Sequence, residues 1–300
     1  MARSHPPTLL TIARRALQRT VAPNDTIVAA VSGGPDSMAM LHVLATLAHE
    51  LSFVVIAHGV DHGLRPAAAE ELDLAASLAE RLRVRFTRTH LSLDAGGNLQ
   101  ARARAARVDA LEEVRLATGG RFIATAHHAD DRAETVLLRL LRGSSISGLG
   151  VLPVVDGPRL RPLIEARKSD IDAHLTRHAI AFATDPSNVN PRYLRTRVRH
   201  DLLPLLASLN PRIVQRLTSL ADEALLLPKE AALPRATREA LRRLFAGDAP
   251  KKMRVTLPGG LVLSGGQTND SGVVLEQDRS NIAEALSASP IEPCNLERVR

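Results

Sequence analysis

Two periodicities alternate along the first half of the chain. Short apolar runs at Ile27–Val31, Phe53–Ala57, Val84–Thr87 and Phe122–Ala126 have the length and composition of buried strands. Between them, Asp36–Glu50, Ala67–Arg83 and Asn98–Thr118 place apolar residues at helical spacing, and a further helix is expected over Asp131–Leu141. Gly119-Gly120 and Arg142-Gly143 close two of these helices, as glycine does just past a helix end. Strands alternating with helices of this length build βαβ units. The expected class is therefore α/β, a Rossmann-like parallel sheet with helices on both faces.

After Gly143 the pattern loosens. Glycine, serine and proline interrupt it as far as Gly157, in a loop that follows a strand–helix unit and is a candidate to face substrate. Arg159–Ile164 reads as a last strand and Arg167–His178 as a helix. Asp185–Pro191 is loop punctuation, followed by basic helical segments over Tyr193–Leu206 and Pro211–Leu226. Pro228 and Pro234 then mark a break. The expected division is a catalytic domain over 1–207, a helical linker over 208–232 and a small C-terminal module over 233–300. In that module a basic helix near Thr237–Phe245 precedes strand-like pieces at Arg254–Leu257 and Gly272–Glu276, as in an appended β-meander. It is expected either to touch RNA or to be partly disordered.

Composition sharpens this picture at three points. Of the 300 residues 45% are hydrophobic but only 2% aromatic, so the core rests on Leu, Val, Ile and Ala. The net charge of +7 comes almost wholly from arginine, since Lys168, Lys229, Lys251 and Lys252 are the only lysines. Arginine grips phosphate through two parallel hydrogen bonds, so the excess suits a polyanionic partner. It equally suits ordinary solvated faces. Cys294 is the single cysteine, which excludes a disulfide, an iron–sulfur cluster or a cysteine zinc site built within these residues. No run reaches membrane-spanning length, and Met1–Arg15 lacks the apolar core of a signal peptide, so a cytoplasmic location is expected.

The strongest chemical signal follows the first apolar run. Ser32-Gly33-Gly34-Pro35-Asp36-Ser37 joins a strand to a helix. Such a turn offers backbone N–H groups at a helix N-terminus, where anions bind, and Pro35 suits the first helical turn. Asp36 would repel phosphate unless Mg²⁺ lay between them. The loop has neither G-x-x-x-x-G-K-[ST] nor G-x-G-x-x-G, so it is neither a P-loop of the γ-phosphate-cleaving kind nor a dinucleotide loop.

Three further clusters sit at strand ends or on helices. His58 to Arg65 follows the second strand. His58 is placed to border a base and Arg65 to neutralise phosphate, although surface histidines before a helix would read the same. Arg104 and Arg107 are three apart on one helical face, either bracketing a phosphate or decorating a solvated stripe. His127-His128-Ala129-Asp130-Asp131-Arg132-Ala133-Glu134 packs two histidines and three carboxylates after the fourth strand. Metal ligation, acid–base chemistry, orientation of an amine and helix capping all compete to explain it. Further on, Asp185, Asn188, Arg192, Arg195, Arg197 and Arg199 form an arginine-dense stretch that suits either nucleic-acid backbone or solvent.

In this order the clusters resemble the PP-loop ATP pyrophosphatase superfamily, and within it the branch that forms lysidine in tRNA. The matching elements are Ser32–Ser37, Val60–Arg65, Ala103–Arg107, His127–Thr135, Arg142-Gly143 with Gly148-Leu149, and Asp185–Asn188 with Arg195, Val198 and Arg199. Val108 stands where that branch usually has tyrosine. The resemblance implies an ATP-dependent ligase that forms a carbon–nitrogen bond. ATP adenylates the wobble cytidine of a CAU-anticodon isoleucine tRNA, pyrophosphate leaves, and free L-lysine displaces AMP. The modified tRNA then reads AUA in place of AUG. It further implies ATP contacts from Ser32, Gly33, Gly34, Pro35, Asp36, Ser37, His58 and Arg65, with Mg²⁺ on Asp36. Arg104 and Arg107 would act at the α-phosphate. His128, Asp130, Asp131 and Glu134 would act on the lysine amine, and Arg192, Arg195, Arg197 and Arg199 would contact tRNA. A homodimer is an allowed assembly. A PP-loop thiolase and a non-catalytic tRNA-binding protein are the alternatives.

Overall fold

Every residue of strand β1 (Thr26–Val31) after the first is buried, because the strand faces a core on each side. Ile27, Ala29 and Val31 point into the larger core, and Val28 and Ala30 into a smaller one. This is the alternation that a central strand covered on both faces requires. The structure is a computed structural model that describes residues 7–61, 63, 67–91, 99–184, 194–227, 239, 243, 254–256, 262–265 and 273–276.

β1 pairs in parallel with β2 (Val54–Asp61) on one side and β4 (Phe122–Ala124) on the other, with Ile27 level with Val55 and with Phe122. β3 (Arg85–His90) lies outside β2, and β6 (Arg159–Leu160) lies outside β4. The order is β3-β2-β1-β4-β6-β5. The edge differs from an all-parallel sheet, since β5 (Val155–Asp156) pairs antiparallel with β6 as a short hairpin. The strand expected over Arg159–Ile164 ends at Leu160. Pro162 has no N–H to continue the ladder, and the Ile164 N–H turns back to the Arg161 carbonyl.

Helices α2 (Pro35–Ala48) and α3 (Ala67–Arg81) carry the chain outward from β1 to β2 to β3 over the larger core. Helix α4 (Leu99–Ala117) then returns it across the opposite face, with Leu111 and Val114 against Val28, Ala30 and Ile123. Right-handed crossovers demand this change of face once the strand order reverses. Helices α1 (Leu9–Gln18) and α6 (Lys168–Arg177) complete the layer around α2. On the α2–α6 seam, His42 Nδ1 lies 3.1 Å from His174 Nε2, and His178 stacks at 4.6 and 4.4 Å from their ring centroids.

A second core forms where α5 (Ala129–Leu141) meets α9 (Ile213–Leu225). Ala133, Val136 and Leu137 pack there with Val214, Leu217 and Ala221, joined by Val198 and Leu203. Leu194–Arg197 (α7), a π-helical turn over Val198–Leu202 and Leu203–Leu209 (α8) run between the sheet layer and α9. The expected linker over 208–232 is therefore corrected. Its first part is a packed helix whose apolar stripe needs the α5 surface, and the first compact unit takes in residues 1–142 and 149–225. The second unit takes in 143–148 and 226–300. In it, Arg254–Thr256 (β7), Val262–Gly265 (β8) and Val273–Glu276 (β9) form an antiparallel meander. Of the basic helix expected over Thr237–Phe245, only Glu239 and Arg243 lie within the described residues.

Two outcomes follow. Leu217→Ala, which empties space at the α5–α9 contact, lowers stability in urea unfolding by about 2–4 kcal/mol, whereas Leu209→Ala at an exposed site moves it by less than about 0.5 kcal/mol. Burial holds His42 and His174 at about 4, with the His178 charge opposing their protonation and Arg81 and Arg177 adding to it. Both rings are neutral in the folded chain but charge below the ordinary histidine value once it unfolds. The stability they support is thus full above that value and lost as pH falls toward 4. The urea midpoint should drop from pH 7.5 to pH 5, and His42→Gln with His174→Gln should flatten that drop.

Candidate active site

The chain leaves β1 at Val31 and turns at once. The Ser37 hydroxyl donates to the Gly34 carbonyl at 2.9 Å and accepts from the Ser32 N–H at 3.1 Å, which closes the loop on itself. Gly33 has φ of +76°, and a Cβ there would lie 2.2 Å from the Glu71 carbonyl oxygen, so only glycine fits. Gly34 is the N-cap of α2 and Pro35 begins the helix, with no side chain capping its first N–H groups. Those donors and the positive end of the helix remain available for an anion.

β4 ends beside β1, and its loop leads into α5. His128 is the N-cap, and its backbone N–H donates to Asp131 Oδ2 at 3.2 Å, so capping accounts for one carboxylate. The His128 ring is buried amid three carboxylates, with Nε2 3.4 Å from Asp131 and 3.8 Å from Asp36, and Nδ1 3.7 Å from Asp130. Burial opposes its charge, but those carboxylates outweigh burial and raise the imidazole above its ordinary value. His127, bonded through Nδ1 to Thr125 Oγ1 at 3.0 Å, behaves oppositely. Burial dominates the opposing pull of Asp131, the Arg161, Arg195 and Arg104 charges add to it, and its value falls to about 4.

A third helix N-terminus, outside the sequence motifs, enters the same place. Arg167 and Lys168 open α6. The Lys168 N–H donates to Asp130 Oδ2 at 2.8 Å and the Arg167 guanidinium to Asp130 at 3.0–3.3 Å. Despite burial, these donors and His128 hold the Asp130 carboxyl far below the usual carboxylate range. Lys168 Nζ reaches Asp36 Oδ1 at 2.6 Å. A lysine beside an arginine at a predicted helix start, in a chain so poor in lysine, was the available signal.

Arg195 and Arg199, both still exposed, pair with the acids of α5. Arg195 Nε donates to Glu134 Oε2 at 3.1 Å and its NH2 to Asp131 Oδ1 at 3.2 Å. Arg199 binds both oxygens of Glu134 and reaches Asp131 Oδ1 at 2.9 Å. Glu134 is 1% exposed, and an acid so buried is stable only with such partners. Burial lowers and Glu134 raises the Arg199 value, with a net rise. The π-helical turn from Val198 carries Arg199 on the segment that faces these acids. Arg197 instead lies exposed, 3.8 Å from Asp201.

Seven of these groups line one cavity of about 320 Å³. Asp36, His128, Asp130, Glu134, Arg167, Lys168 and Arg199 form its polar wall, and Leu203, Pro204, Ala207 and Val214 its apolar wall. Ser32, Gly33, Gly34, Pro35, Ser37, Asp131, His58, Arg104 and Arg107 are not among its lining residues. His58, buried at the end of β2, bonds through Nδ1 to Thr87 Oγ1 at 2.8 Å, and burial lowers its value. Arg104 is exposed on α4, and Arg107 is half-buried beside it, its value lowered by burial and by Arg104. Arg65, Asp185, Asn188 and Arg192 lie outside the described residues. Among the described residues no three acidic, histidine or cysteine side chains converge as a metal site. Asp36 still fits a Mg²⁺ bound through one carboxylate, phosphate oxygens and water, which is how this ion is commonly held. No described helix is long and apolar enough to cross a membrane.

A glycine turn at β1, an acidic cluster at β4 and an α/β sheet that reverses between them define a nucleotide-binding PP-loop domain. The chain belongs to this PP-loop family, which matches residues 9–206. Among its curated relatives is the tRNA(Ile)-lysidine synthase of Geobacter sulfurreducens, 38% identical over 81% of this chain and 51% of the relative. That of Rhodopseudomonas palustris is 43% identical over 61% of this chain and 54% of the relative. The chain spans about half the length of the curated relatives it matches. The U34-tRNA thiolase NcsA of Methanococcus maripaludis, solved with its [4Fe-4S] cluster, shares the fold at a TM-score of 0.62 and 18% identity, over 73% of this chain and 78% of the thiolase.

The two adjacent histidines should separate in an NMR titration. His127 is expected to titrate near 4 and His128 above the ordinary histidine value. The sign for His128 is that of a group with a raised value. Its contribution to stability is full below the ordinary value and lost as pH rises through the folded one.

Proposed function

We propose that this chain activates a tRNA base with ATP and joins lysine to it, at the wobble cytidine of a CAU-anticodon isoleucine tRNA. The observation that carries the proposal is the meeting of the uncapped N-terminus of α2 with the buried acids of α5 in one cavity. One end of such a cavity suits a polyphosphate and the other a cationic amine. The lysidine synthases among the relatives support the reading of substrate and reaction.

In this reading, the loop Ser32–Ser37 holds the pyrophosphate that departs when the cytidine carbonyl oxygen attacks the α-phosphorus. Asp36 would hold Mg²⁺, which would supply charge neutralisation at the phosphates. His128, favoured in its charged form, complements phosphate better than it accepts a proton. Arg104 and Arg107 are assigned to the α-phosphate side. Asp131 and Glu134 take the lysine ammonium, which passes a proton to one of these carboxylates before the amine attacks the activated carbon and AMP leaves. Arg195 and Arg199 then exchange partners when that amine arrives, and Arg192 and Arg197 are assigned to the tRNA. The target base has to leave its stack to be reached. A thiolase reading is disfavoured because cluster ligation draws on cysteine thiolates and Cys294 is the single cysteine of these residues.

The test is incorporation of labelled lysine into CAU-anticodon isoleucine tRNA, with methionine tRNA of the same anticodon as the control. Label is expected in the first only, with AMP and pyrophosphate in equal amount. Asp36→Ala should reduce turnover at least about a hundredfold while the circular dichroism spectrum is unchanged. Folded protein that labels neither tRNA would refute the assignment.

A further inference from the structure

We propose that Lys168 guards Asp36 in the nucleotide-free protein and moves onto the phosphate chain when a magnesium nucleotide binds, which frees the carboxylate for the cation. This inference rests on the reading of the cavity as a nucleotide site. Its basis is a conflict of charge on one residue. Asp36 lies in the first turn of α2, directly after the glycine loop, yet its Oδ1 is 2.6 Å from the Lys168 ammonium. His128 Nε2 stands 3.8 Å from Oδ2. A dication cannot settle on a carboxylate already neutralised from one side by an ammonium, because the two positive charges would repel at close range.

The surrounding structure fixes what can move. Lys168 is held at its backbone, since its N–H is bonded to Asp130 and Arg167 clamps the same acid. Its side chain is only half-buried, with Asp172 Oδ1 as a second contact at 3.1 Å. A flexible four-carbon stem on an anchored backbone lets a compact charge swing between partners. The ammonium lines the cavity with Asp36, so a polyphosphate bound at the α2 N-terminus would come within its reach. Such a chain carries more negative charge than one carboxylate and competes for the ammonium as it enters.

Lys168→Met and Lys168→Arg in the whole chain provide the test, with calorimetric binding of ATP in the presence of Mg²⁺ and in EDTA. Loss of the ammonium should weaken ATP binding about tenfold or more in EDTA, where no metal shares the phosphate charge, with arginine restoring part of it. Water-proton relaxation with Mn²⁺ as the probe, without nucleotide, should show tighter binding to Lys168→Met by several-fold, roughly the effect of removing one neighbouring charge. Wild-type protein that binds ATP while Lys168→Met binds it equally well in EDTA overturns the phosphate role. Unchanged Mn²⁺ affinity overturns the guarding role. Wild-type protein that binds no ATP refutes the nucleotide reading itself, a result separate from either.

Discussion

The reversal of strand order at β1 is the constraint from which the site follows. The chain builds outward through β2 and β3, then returns to place β4 on the other flank of β1. Loops leaving adjacent strands at such a point diverge, and the crevice between them is where open α/β sheets bind ligands. Here the two loops are Ser32–Ser37 and Thr125–His128, and each runs into a helix whose N-terminus faces the crevice. The start of α6 adds a third. Three positive helix ends in one place would be costly without anions, which accounts for the density of carboxylates there.

Those carboxylates divide into two sets by their partners. Asp36 and Asp130 are tied to α6 through Lys168 and Arg167, on the side of the glycine loop. Asp131 and Glu134 are tied to Arg195 and Arg199, on the side of the helical layer. His128 stands between the sets and touches members of both. The arrangement sets two differently partnered groups of acids on either side of one buried imidazole.

The helical layer does more than cover α5. Leu203, Pro204, Ala207 and Val214 close the cavity opposite the acids with an apolar wall. That wall excludes water from one side and strengthens every charge interaction on the other. It exists because α9 packs along α5 through Leu217 and Ala221 rather than extending away as a connector.

Local sequence determined the elements and the chemistry each one carries. An unbroken apolar run specifies a central strand. Gly33 is required by a backbone turn that no other residue fits, and the acids after β4 announce a helix start. These depend on neighbours a few positions away, so they are legible in one dimension. Partnership across the fold was not. Asp36 with Lys168 spans 132 positions, Asp130 with Arg167 spans 37 and Glu134 with Arg199 spans 65. No local pattern encodes which distant helix will supply the opposite charge. The pairing of Arg195 and Arg199 with the acids of α5, the packing of α9 and the antiparallel edge hairpin were likewise decided by tertiary structure. Each depends on burying a charge or an apolar face against a surface that exists only once the sheet has formed.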